Sequence, residues 1–68
     1  MHAQFKMFWS DRASWEVMFA QAAEFMTEIG PERTMGVSHS HRGMEGVVTV
    51  WYWADKPPTS PETRVFVR

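Results

Sequence analysis

Sixty-eight residues with no cysteine make one domain that has no disulfide to stabilise it and shows no sign of an oxidising compartment. Seven basic and eight acidic residues give a formal charge of −1, which argues against the basic stripe that a duplex nucleic acid requires. The composition is 44% hydrophobic with four Trp and five Phe, so the chain is apolar enough to fold. A domain of this size buries only about 60% of its unfolded surface, and a partner subunit or a metal is a common source of the missing stability.

The N-terminus, Met1-His2-Ala3-Gln4-Phe5-Lys6, lacks the basic start and long apolar core of a signal peptide. The longest apolar run, residues 47–54, is too short to span a membrane. The expected setting is therefore the cytoplasm, with no membrane partner. Residues 3–9 alternate, with Phe5, Met7 and Trp9 on one face and Gln4, Lys6 and Phe8 on the other, which predicts a first strand.

Ser10 and Asp11 offer side-chain oxygens to a helix start. The spacing of Trp15, Met18, Phe19, Ala22, Phe25, Met26 and Ile29 predicts an amphipathic helix over about residues 11–29. Val17 lies off that stripe. Gly30 suits the cap, and Pro31 prevents continuation. Packing on a sheet is the expected use of the stripe; an adaptable Met-rich docking surface is the alternative.

Residues 33–41 alternate again and predict a second strand, with Met35, Val37, His39 and His41 on one face. A five-residue loop, Arg42–Gly46, is expected to lead into the third strand. That strand, Val47-Val48-Thr49-Val50-Trp51-Tyr52-Trp53, is β-branched or aromatic throughout and apolar on both faces, as a central strand must be. The preferred register sets Met35 and Val37 beside Val48, Val50 and Tyr52 under the helix. It leaves Ser38, Ser40, Thr49, Trp51 and Trp53 on the other face, joined by Lys6 and Phe8. The opposite register buries the tryptophans instead, and in both cases one apolar face stays uncovered.

Three prolines in residues 55–62 predict an extended linker. Its Pro58-Thr59-Ser60-Pro61 has the spacing of a polyproline ligand, although a passive linker is the better reading. Residues 63–68 read as a short fourth strand that docks in cis or on a neighbouring copy. Residues 1–54 thus form a single α+β domain of βαββ(β) type. One helix packs on a mainly antiparallel sheet with spatial strand order 2-3-1.

The candidate interface or ligand-binding residues are Phe8, Thr49, Trp51, Trp53, Val65 and Val67. A homo-oligomer, with a dimer favoured, is the expected use of that surface. A flat small molecule stacked on the tryptophans is the alternative, and a nucleic-acid strand is not expected. His39 and His41 lie about 7 Å apart on one strand face and form a weak candidate metal pair, with Glu45 or His2 as third ligand. The plain alternative is a polar strand end. No catalytic residue is assigned: Ser40 points away from both histidines, and no glycine-rich phosphate loop is present. No cofactor is implied.

The strand–helix–hairpin pattern, with Ser38-His39-Ser40 in the second strand and the Val47–Trp53 run in the third, resembles small prokaryotic βαββ proteins carried on phage genomes and mobile gene cassettes. That resemblance implies the fold and an oligomer. The βαββ outline is also similar to dodecin-type flavin-binding shells, with no residues carried over from them.

Overall fold

The computed structural model describes residues 1–55 and 64–68. The Val47–Trp53 run lies inside β3 (Glu45–Ala54), the strand around which the sheet is built. Antiparallel partners flank it: β1 (His2–Ser10) on one side and β2 (Thr34–Arg42) on the other. A three-residue strand, β4 (Arg64–Phe66), joins the far side of β1 in parallel, so the spatial order is β2-β3-β1-β4. The helix, α1 (Trp15–Ile29), connects β1 to β2 and packs on β3 and β1. The result is the expected α+β fold, with the fourth strand making the sheet mixed. The expected linker over residues 55–62 lies, apart from Asp55, outside the described residues, as does the Pro58–Pro61 spacing.

The helix begins later than Ser10 and Asp11 suggested. Ser14 is its cap: its Oγ accepts from the Val17 amide at 3.2 Å, and its carbonyl accepts from the Met18 amide at 3.1 Å. Ser10 shapes the connection instead. Its buried Oγ accepts from the amides of Arg12 (3.2 Å) and Ala13 (2.9 Å), which holds the turn between β1 and α1. At the other end Gly30, at φ 88°, supplies the positive φ that ends the helix, and its amide donates to the Met26 carbonyl at 3.0 Å.

The hairpin is also tighter than expected. Arg42 pairs with Glu45, so only Gly43 and Met44 turn the chain. Gly43 has φ 59° and Met44 does not have a positive φ, which is the pattern of a type II′ turn. Its twist matches that of the strands, so pairing continues to the turn itself.

Buried Phe8, Met18, Ala22, Val48, Val50 and Val67 form the core, with Phe25, Met26, Tyr52 and Val65 packed around them. Val37 pairs with Val50 and Ser38 with Thr49, so the hairpin takes the preferred register. Met35 departs from it: a bulge between Thr34 and Gly36 takes it out of the regular ladder and leaves it 47% exposed.

Tyr52, the chain's one tyrosine, stands edge-on to Phe25 at 5.0 Å. Burial raises its phenol above the ordinary 10.0, with the positive charge of Arg33 opposing. The folded state therefore favours the neutral phenol. As pH rises past 10.0 the unfolded chain loses this proton first, so stability should fall between that value and the raised one. Tyrosinate absorbance should titrate later in the native protein than in denaturant. Coincident titrations would contradict this placement of the ring.

Candidate functional site

The helix covers one face of the sheet; exposed Trp51, Trp53 and Phe66 lie on the other, while exposed Trp15 and Phe19 stack on each other on the helix itself. Cross-strand partners in a sheet share a face. The pairs Phe5–Trp51, Met7–Thr49 and Trp9–Val47 put these residues together, away from the helix. Trp9 also pairs with Phe66 of β4. The ring centroids of Phe5 and Trp51 stand 5.4 Å apart, and those of Trp9 and Phe66 4.6 Å apart. Trp51, Trp53 and Phe66 remain 43%, 38% and 39% exposed. Among the described residues charge lies at the margins of this face: the Arg64 guanidinium lies 5.7 Å from the Trp9 ring, and Arg42 pairs with Glu45 beside the turn.

Four of the residues expected on this face lie elsewhere. Phe8 pairs with Val48, sits under the helix 6.1 Å from the Phe25 ring and is buried. Lys6 shares that side. Its ammonium lies 4.5 Å from the Phe25 ring centroid, so the aliphatic stem packs inward while the charge reaches the border. Val65 pairs with Phe8 and therefore faces the helix, and Val67 is buried in the core. The tail thus divides its roles: Val65 and Val67 close the core, and Phe66 faces the open side. Thr49, Trp51 and Trp53 lie on the open face as expected.

Phe5, Met7, Trp9 and Phe66 complete the patch and were not among the candidates. Their alternation was visible in the sequence. Because β1 carries aromatics on both faces, only its register against β3 determines which of them lie opposite the helix.

His39 and His41 share the helix side of β2, opposite Val48 and Gly46. The His39 ring meets those of Trp15 and Phe19 edge-on, each at 5.8 Å. These contacts give it a packing role at the helix border. Among the described residues no three His, Cys, Asp or Glu side chains gather into a metal-holding group, so neither Glu45 nor His2 completes the pair. Several shallow depressions open on the helix side. One, of about 640 Å³, is an open groove lined by Ala23, Met26, Thr27, Pro31 and Thr34. Another, of about 220 Å³, lies between the β1–α1 turn and the hairpin, with Ser10, Trp15, His41 and Glu45 in its wall. Ser10 Oγ already accepts two amides there, so it is not arranged as a nucleophile.

Among the described residues, no helix is long and apolar enough to cross a membrane. No protein-family model matches this chain, and no curated protein or solved structure matches it.

Proposed function

We propose that this protein is a small self-associating interaction module whose aromatic sheet face is covered by a second copy of the chain. The observation that carries this reading is the composition of the uncovered face. An antiparallel sheet backed by one helix ordinarily presents polar residues to water on its other side. Here that side presents Phe5, Met7, Trp9, Val47, Trp51, Trp53 and Phe66.

Size is compatible with the reading. The three long strands, nine or ten residues at about 3.3 Å each and about 4.8 Å apart, give a face of about 30 by 14 Å, which the three-residue β4 widens over part of its length. That flat area is about half of the roughly 800 Å² per partner of a standard interface, and the relief of the large side chains adds to it. A flat ligand is less well served. The Phe5 and Trp51 rings are tilted by 49°, and the Trp9 and Phe66 rings by 56°, so these pairs close on each other and leave no parallel slot.

The test is solution mass by light scattering across a hundredfold dilution, for the native chain and for Trp51→Ser and Trp53→Ser. The native chain should be oligomeric. Each variant should keep its far-ultraviolet helix signal and shift association to at least tenfold higher concentration. Unchanged mass in both variants would reject this face as the interface. Tryptophan fluorescence separates the ligand alternative, which predicts a change on titration with a flat aromatic compound and none on dilution.

A further inference from the structure

We infer that β2 is a second contact surface, pairing edge to edge and antiparallel with β2 of another copy to make one continuous sheet. Strand geometry supports this, independently of the aromatic face. β2 is the outer strand of the sheet, nine residues long, and almost all of it is exposed. Among the described residues no strand pairs with its outer side. Outer strands are normally protected by proline, lysine or inward charges, because an open row of amides and carbonyls is a template for another strand. β2 contains no Pro, Lys, Asp or Glu. Its one irregularity, the bulge at Met35, lies near one end and leaves Gly36–Arg42 as an unbroken ladder.

Length identifies the occupant. The opposite edge of the sheet is β4, with three residues, so a head-to-tail β2–β4 contact would leave most of the β2 ladder unpaired. Another β2 matches it residue for residue. A two-fold axis perpendicular to the sheet relates the pair and keeps the helices of both copies on the same side. Side chains fit that arrangement. Val37 is 46% exposed on the helix side of the edge and would meet its counterpart strand, while Ser38 and Ser40 on the opposite face offer hydroxyls across it. No carboxylate on β2 would be brought against another.

The pairing has a consequence for shape. Each helix lies over β1 and β3, so four strand spacings of about 4.8 Å put the two helix axes about 19 Å apart. Helices about 10–12 Å across then leave a cleft about 8 Å wide between them. Phe19 and His39 of both copies line it. Moreover, this axis is perpendicular to the in-plane axis that stacks two aromatic faces. Where the two axes intersect, the assembly closes at four copies with dihedral symmetry.

The chain has no cysteine, so single cysteines report cleanly. Variants Val37→Cys, Ser38→Cys, His39→Cys, Ser40→Cys and His41→Cys are oxidised mildly and run without reductant. A residue at or beside a two-fold between antiparallel strands stands about 4.5–5.5 Å from its mate, within disulfide range. At least one position should give more than half of the protein as linked dimer, falling away at its neighbours. No linkage at any position, or a native chain that is monomeric throughout the dilution series, would overturn the inference. Two further variants separate the surfaces. Trp51→Ser with Trp53→Ser should halve the native mass and keep the β2 cross-link. Val37→Lys with His39→Lys, built on a linking cysteine at 38, 40 or 41, or Ser38→Lys with Ser40→Lys, built on one at 37 or 39, should abolish the cross-link with the helix signal intact, and its persistence would count against edge pairing. If the aromatic reading fails alone, the native mass is two chains and the cross-link still forms.

Discussion

Met18→Ala is expected to bring the protein close to unfolding. Met18 is 1% exposed and lies where the helix meets Val48 and Val50. Deleting such a side chain costs about 2–5 kcal/mol, from lost transfer energy and the cavity left behind. A single core below about 70–80 residues rarely supplies more than about 3–5 kcal/mol, so the loss is comparable with the whole. Urea denaturation followed by circular dichroism should show the midpoint fall sharply, with little or no folded baseline. Met18→Leu, which conserves volume, should cost less than about 1.5 kcal/mol. Val17→Ala is the surface control: Val17 is 42% exposed on the outer flank of the helix and should change the midpoint little. A Met18→Ala midpoint equal to the native one would mean that the helix does not seat as described.

Val67→Asp is expected to detach the tail. Val67 is 4% exposed, and its amide donates to the Trp9 carbonyl at 2.8 Å. Losing a buried valine forfeits about 1.5–3 kcal/mol, and a carboxylate without a partner there adds a desolvation cost. The amide of residue 67 should lose its protection from hydrogen exchange, and thermal stability should fall by several degrees or more. Phe66→Ser changes the neighbouring residue on the other side of the sheet. It should weaken self-association and leave core stability nearly unchanged. If Val67→Asp instead altered association alone, with exchange at residue 67 unaffected, the tail would belong to an interface and not to the core.

That contrast between Val67 and Phe66 shows where sequence reading stops. Alternation separates the two side chains, yet nothing local says which of them faces the helix. The same holds in β1. Phe8 opposes Phe5, Met7 and Trp9, and both sets are apolar enough to be buried. Hydrophobicity therefore leaves the choice open, and the pairing of Phe8 with Val48 settles it. With Phe8 inward, Lys6 must follow it, and its stem can lie against Phe25 because the ammonium still reaches the border.

The sequence alone determined the elements and their order. Helical spacing from Trp15 to Ile29, closed by Gly30 and Pro31, defines α1, and the doubly apolar Val47–Trp53 run demands a central strand. It also determined that a single helix leaves one apolar face uncovered, because that follows from counting elements. Only the tertiary structure decided which aromatics occupy the open face, that the tail's valines close the core, and that Ser14 rather than Ser10 caps the helix. Periodicity is a local property of the chain. Register depends on contacts between residues far apart in sequence, and these are established when the strands meet.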